Sequence, residues 1–181
     1  MVELTDRILS WGRYLYWAEL MRRRWNEYMT AHGADPETPE WLGVNAYWPA
    51  SLYVVIEGWQ ELGLSDPIID SLLQKQTHVD TLRLLRNGTF HYQGSLIPKK
   101  MIGFFNANDS NLWIMELQDE FWRYFREWLY RFPMTIAMRD DLRTQITALT
   151  GWFPPKEPML GHDGQLHTDS IEENLAAIHC H

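Results

Sequence analysis

Apolar side chains recur every three or four residues between Leu4 and His32, and this spacing constrains the fold of the chain more than any other feature of its sequence. This spacing puts the apolar side chains on one side of a helix and leaves residues such as Arg22 and Glu27 on the opposite side. A helix of this length has to bury its apolar side against other elements. The apolar positions are Ile8, Leu9, Trp11, Leu15, Ala18, Met21, Trp25, Tyr28 and Met29.

Two further helices are predicted in the first half of the chain. Pro49 suits the first turn of a second helix, because an N–H at that position would have no helical partner, and this helix should end near Gly63. Asp66 can cap a third helix, since its side chain can accept hydrogen bonds from the first turn. We expect this third helix to run to Arg86 and to end or kink at Asn87-Gly88.

The second half of the chain continues with the same helical spacing. Residues 93–109 are predicted to form a connector. A fourth helix should begin at Asp109 or Ser110, either of which can cap it, and should run to Phe132. Its aromatic and aliphatic residues cover more than one side, which predicts neighbours on two sides.

The sequence as a whole predicts an all-α fold, because no convincing strand alternation interrupts the helical segments. We expect a four-helix bundle core with an additional C-terminal helix after Pro133 and an irregular tail. The helical domain is predicted to span residues 1–150 and the tail residues 151–181.

Composition narrows the classes of function. The formal charge of −8 argues against a broad basic surface for nucleic acid, so any RNA contact should be local. Cys180 is the only cysteine, and no acidic residue has histidine three positions later, so we expect no disulfide framework, no di-iron centre, no metal and no cofactor. No apolar run approaches the roughly twenty residues that span a bilayer, and we expect a cytoplasmic protein that does not contact membranes.

One short segment carries groups that can act on a phosphodiester. Arg86 and His91 lie five positions apart around Asn87. Arginine offers a planar fork of donors for phosphate oxygens, and histidine can take and return a proton near neutral pH. The pair therefore suffices for metal-free RNA cleavage, in which the ribose 2′-hydroxyl attacks the adjacent phosphate. The alternative is a helix-end arginine and an ordinary loop histidine.

The segment Arg86-Asn87-Gly88-Thr89-Phe90-His91 resembles the motif of the HEPN superfamily, which is an arginine, often a polar residue, and a histidine after four to six positions. The resemblance implies a four-helix bundle and metal-independent endoribonuclease activity in toxin-antitoxin, phage-defence or RNA-processing settings. It assigns the phosphate contact to Arg86, positioning to Asn87 and proton transfer to His91. The resemblance also implies a site formed across a homodimer, with a protein antitoxin as a partner of some members.

One departure from the HEPN pattern concerns that antitoxin. Some HEPN toxins have tyrosine two residues after the histidine as a target for inactivating modification, whereas Gln93 occupies that position here and Tyr92 lies one residue too early.

A two-fold axis is also favoured by the chemistry, because cleavage needs a base and an acid and each chain supplies one motif histidine.

Other residues are candidates for supporting roles. Glu57 lies in an apolar stretch of the second predicted helix and could orient Arg86 or His91, or could simply face water. Candidate substrate contacts, each of which could equally be an ordinary solvated or packed side chain, are His78, Arg83, Tyr92, Lys99 and Lys100.

Two other functional classes stay open at the level of sequence. The ten tryptophans fit a non-catalytic dimeric interaction or RNA-binding module as well as they fit a thick aromatic core. An aromatic-lined pocket for a small or cationic ligand is a third class. Convergence of two Arg86-His91 pairs in one solvent-open groove would favour the nuclease, and burial of His91 away from any groove would favour the interaction module. A closed apolar cavity remote from both would favour the ligand binder.

Overall fold

The computed structural model describes residues 2–33, 40–95, 98–131 and 144, in which every regular element is an α-helix. The all-α class is therefore confirmed for this part of the chain. The chain divides into two units, Met1–Glu127 and Trp128–His181. The helix predicted after Pro133 and the predicted domain boundary at residue 150 lie outside the described residues. The helices are α1 Val2–His32, α2 Glu40–Leu62, α3 Pro67–Leu73, α4 Gln76–Phe90, α5 Lys99–Phe105 and α6 Ser110–Arg131.

The predicted start of the second helix is wrong. Helix α2 begins at Glu40, and Pro49 lies in its interior, where it removes one backbone hydrogen bond. The surrounding turn is nevertheless buried, with Trp48 at 1% and Ala50 at 0% exposure. Burial of this turn holds the helix together across the proline. The predicted end is confirmed, because Gly63 follows α2 with a φ of 62°.

The predicted third helix is two helices. Asp66 caps α3 as expected, since its Oδ1 accepts hydrogen bonds from the backbone N–H groups of Ile68 and Ile69 at 3.0 and 3.2 Å. The chain then breaks at Gln74 and Lys75 before α4 begins. No glycine or proline marks this break, and apolar spacing alone therefore did not predict it.

Two further helix boundaries differ from those predicted. Helix α4 passes through Gly88, which is buried, and ends at Phe90. The predicted connector contains α5. By contrast, α6 begins at Ser110 as predicted, directly after Asp109, whose φ of 57° turns the chain.

Aromatic residues form the core that fixes these helices. The Trp11 ring of α1 lies 5.8 Å from the Trp59 ring of α2 and 5.7 Å from the Phe121 ring of α6. Trp113 of α6 donates its indole N–H to the carbonyl oxygen of Leu72 at 2.9 Å, which joins α6 to α3. Helix α2 also packs against α4, and α4 against α5. This packing sets the orientation of α2 and α4, the two helices that carry Glu57 and Arg86. No helix in the described ranges is long and apolar enough to cross a membrane.

Candidate functional site

The last two turns of α4 carry the arginine of the motif, and the histidine follows directly after the helix. Helix α4 continues to Phe90, and Thr89 in its last turn donates its hydroxyl to the carbonyl oxygen of Leu85 at 2.9 Å. His91 then adopts extended backbone, with φ −120° and ψ 139°. Arg86 is thus anchored in a helix, whereas His91 begins the segment that leads away from it.

Arg86 is held on two sides. Its Nη2 donates to Oε2 of Glu57 on α2 at 3.1 Å, and its Nη1 donates to Oδ1 of Asn87 at 3.0 Å. The Arg86 side chain is 28% exposed and that of Glu57 is 41% exposed, so solvent reaches the ion pair. The Arg86 Nε is buried and has no hydrogen-bond partner among the described residues. The guanidinium is therefore positioned but not enclosed.

Gln93 fixes the start of the segment after α4. Its side-chain amide donates to the carbonyl oxygen of Asn87 at 3.2 Å and to that of His91 at 2.6 Å. These hydrogen bonds satisfy carbonyl groups at the end of a helix, where no backbone N–H group of the helix is available to them. The HEPN resemblance equates residue 93 with the tyrosine of some toxins, and the glutamine at this position ties the backbone of His91 to α4.

The imidazole of His91 lies at the surface. It is exposed and makes no hydrogen bond to any described residue. Tyr92 beside it is 96% exposed. The preceding residue, Phe90, is 46% exposed, and its ring lies 6.0 Å from that of Tyr47 on α2. The structure thus brings Glu57, Arg86 and Asn87 together and leaves the His91 ring in solvent.

The remaining candidates are distributed over α4 and α5. His78 lies at the opposite end of α4, where its Nε2 lies 2.8 Å from Oδ1 of Asp109 and its ring packs edge-on against Trp113. Its contacts are those of a residue that links α4 to α6. Arg83 is half-exposed and pairs with Asp80 on the same helix at 3.4 Å.

The two lysines lie at the start of α5. Lys99 is exposed as the first residue of this helix. Lys100 follows it, and its side chain lies outside the described part of the structure. The roles of both in contacting RNA stay predictions.

Tyr53 belongs to the electrostatic surroundings of the site, and the sequence analysis missed it. Burial of its ring raises the pKa of the Tyr53 hydroxyl, and the carboxylate of Glu57 raises it further, against the opposing effect of Arg83 and Arg86. Tyr53 lies one helical turn before Glu57 on α2. That four-residue spacing was the available signal. Tyr53 therefore stays protonated at neutral pH and adds no charge beside Arg86.

Metal ligands do not converge in the described residues, where no group of three or more histidine, cysteine, aspartate or glutamate side chains could hold an ion. The histidines and cysteine near the C-terminus lie outside these residues.

Comparison with known proteins gave no match to a protein-family model, to a curated protein or to a solved structure.

Proposed function

We propose that this chain is a HEPN-like domain with a four-helix bundle core, and that its homodimer cleaves RNA without a metal ion. The observation that carries the proposal is a positioned arginine followed, at the end of the same helix, by a solvent-exposed histidine. Glu57 and Asn87 hold the guanidinium of Arg86 at the end of α4, and the His91 imidazole lies in solvent five residues later. The proposed setting is cytoplasmic, with a protein antitoxin as a candidate partner.

The proposed reaction uses two copies of the motif. The His91 imidazole of one protomer takes the proton of the ribose 2′-hydroxyl, and the 2′-oxygen forms a bond to phosphorus. The bond from phosphorus to the 5′-oxygen breaks, and the partner's His91, in its protonated form, gives a proton to that oxygen. Arg86 stabilises the charge that develops on the phosphoryl oxygens. The products are a 2′,3′-cyclic phosphate and a 5′-hydroxyl.

Glu57 has a defined part in this proposal. Because its carboxylate occupies one edge of the Arg86 guanidinium, the substrate phosphate must share or replace that contact. The pair is reached by solvent, and such pairs are worth only about 0–1 kcal/mol, so a phosphate can compete for the arginine. Glu57 then keeps Arg86 in place until RNA arrives.

A non-catalytic RNA-binding or interaction module is the second candidate function. Two observations favour it: the charge of Arg86 is matched by Glu57, and the half-exposed ring of Phe90, next to His91 in the chain, lies against the half-exposed ring of Tyr47. In that function the exposed histidine would take part in no proton transfer.

Cleavage of single-stranded RNA in excess EDTA tests the proposal. We expect cyclic phosphate ends, no cleavage of DNA, complete loss of cutting in His91→Ala and a loss of about a hundredfold or more in Arg86→Ala. His32→Ala and Arg24→Ala, which remove an exposed histidine and an exposed arginine from α1, should cut as the wild type does.

The oligomeric state provides a second test. The 21.5 kDa chain should sediment as a dimer at micromolar concentration. A folded dimer that cuts no RNA, or cutting that survives in His91→Ala, would exclude the proposed chemistry and leave the non-catalytic module.

A further inference from the structure

Two aromatic rings from different helices meet at the surface beside the motif. Tyr47 of α2 is 49% exposed and Phe90 of α4 is 46% exposed, and their ring centres lie 6.0 Å apart at an interplanar angle of 51°. The Tyr47 ring lies near Gly43, one helical turn earlier, since a Cβ added at that glycine would be 3.7 Å from the Tyr47 Cε2 atom. Each ring thus keeps contacts with the protein and still presents about half of its surface to water.

The position of this ring pair relates it to the reacting groups. Phe90 is the last residue of α4, and His91 is the first residue after it. Tyr92, which is almost fully exposed, adds a third ring two residues after Phe90. Phe90 and Tyr92 therefore flank His91 in the chain, and Tyr47 belongs to the same aromatic surface because its ring lies against that of Phe90.

The negative net charge of the chain favours a site in which the bases of RNA, rather than its phosphate backbone, supply the binding energy. The chain carries a net charge of −8. The two arginines of α4, Arg83 and Arg86, are each paired with a carboxylate. Backbone neutralisation, on which tight binding to nucleic acid usually depends, is therefore weak here. Stacking on aromatic rings needs no net positive charge and accepts any base.

We propose that the aromatic surface of Tyr47, Phe90 and Tyr92 is a stacking site for an unpaired base of single-stranded RNA. The proposal rests on the proposed function for the identity of its ligand. Bases within a duplex have both faces covered by their neighbours, so the site selects loops and single strands. Because stacking does not involve the 2′-hydroxyl, single-stranded DNA should bind at the same surface without being cut.

The test uses full-length protein and a single-stranded oligonucleotide that contains 2-aminopurine, whose fluorescence is quenched on stacking. In the His91→Ala background, Tyr47→Leu and Phe90→Leu keep apolar volume but remove the ring, and each should weaken RNA and DNA binding by roughly 5- to 100-fold and abolish the quench. Tyr14→Leu is the matched control, because Tyr14 is a partly exposed tyrosine in a ring pair on α1.

The outcomes separate this inference from the proposed nuclease. If RNA is cut but Tyr47→Leu and Phe90→Leu bind as the control does, the stacking site is excluded and the nuclease stands. If the two variants lose oligonucleotide binding while no RNA is ever cut, the nuclease is excluded and the stacking site stands. Conversion of a dimer to a monomer by Tyr47→Leu or Phe90→Leu would overturn the inference, since a second copy of the chain would then cover these rings.

Discussion

Glu57 on α2 accepts a hydrogen bond from Arg86 on α4 across 3.1 Å, and this contact joins the motif to the core of the protein. The two residues are far apart in sequence, so the contact exists only because α2 and α4 pack side by side. It fixes the Arg86 side chain of α4 against a second helix. Under the proposed function, the strength of this ion pair determines how well a phosphate of RNA competes with Glu57 for the guanidinium.

Glu57→Gln is predicted to tighten RNA binding about two- to fivefold, because it removes the charge that competes with phosphate while keeping an oxygen that can accept from Arg86. Fluorescence anisotropy with His91→Ala as background measures this. Glu57→Ala also removes the positioning contact, so we expect it to lower the kcat of cleavage more than Glu57→Gln does.

Glu61→Gln is the matched control for that experiment, because Glu61 lies one helical turn further along α2 and pairs at the surface with Arg7 at 3.5 Å. Its effect on RNA binding should be smaller than that of Glu57→Gln. Equal effects at the two positions would mean that only the overall charge matters, and that the Glu57 contact has no special place in the site.

The sequence predicted most helices because apolar spacing reports a helix wherever one side is buried. It did not predict the extent of α2, because a proline in the sequence suggests the start of a helix. The helix instead continues through Pro49, in a turn that the burial of Trp48 and Ala50 stabilises. Nor did the sequence predict that α4 passes Gly88. That glycine is buried in the helix rather than ending it.

The site could be predicted only in part for a related physical reason. The spacing of Arg86 and His91 is a property of the sequence, but the partner of Arg86 depends on how α2 is rotated about its axis. Gly58 faces Trp11 of α1, and the adjacent Glu57 therefore points about 100° away around the helix, towards α4. Single-sequence spacing gives each helix an apolar side but does not select the neighbour for each residue.

Asp66 should make the stability of the fold depend on pH. Burial alone raises the pKa of its carboxyl, but the hydrogen bonds from Arg123 and from the first turn of α3 outweigh burial and hold the pKa below its ordinary value. A lowered folded pKa means that the contribution to stability is present above the ordinary carboxyl pKa of about 4 and is lost as the pH falls through the folded pKa.

Urea unfolding at pH 7 and at pH 3 measures this dependence. Asp66→Asn should lower the free energy of unfolding at pH 7 and should lose less of it on acidification than the wild type does. Asp6→Asn, an exposed position on α1, is the control and should keep the acid dependence of the wild type. Parallel pH profiles for Asp66→Asn and wild type would refute the assignment.

Gln118 links a buried indole to a half-buried carboxylate and should be sensitive to truncation. Its Oε1 accepts from the indole N–H of Trp48 at 2.6 Å, and its side-chain amide donates to Glu19 at 2.8 Å. Both Gln118 and Trp48 are almost fully buried. Gln118→Ala leaves the indole N–H without its acceptor and opens a cavity, so we expect a loss of about 2–4 kcal/mol in the free energy of unfolding.

Chemical denaturation provides the measurement for Gln118→Ala, with Gln60→Ala on the exposed side of α2 as control. The control should change stability by less than about 0.5 kcal/mol. A loss at position 118 as small as that at position 60 would show that water replaces the missing contacts.

Gly58→Ala should destabilise the packing of α1 on α2. A Cβ at this position would lie 2.7 Å from Cδ1 of the Trp11 ring. That ring is 3% exposed and its Nε1 donates to the carbonyl oxygen of Val55 at 2.9 Å, so it cannot move without losing a buried hydrogen bond. Overpacking of this kind costs about 1–3 kcal/mol, which exceeds the gain of up to about 1 kcal/mol from replacing a helical glycine by alanine.

Gly103→Ala supplies the comparison for that experiment, because a Cβ there meets only Thr81 at an ordinary 3.8 Å, and the variant should be as stable as the wild type or more stable. Thermal and urea unfolding of both variants give the sign. Since Gly58 neighbours Glu57, Gly58→Ala should also weaken the contact between Glu57 and Arg86, and RNA cleavage should fall even at temperatures where the variant is folded. A stabilised Gly58→Ala protein would contradict the close approach of Trp11 to α2 and, with it, the explanation given for the direction of Glu57.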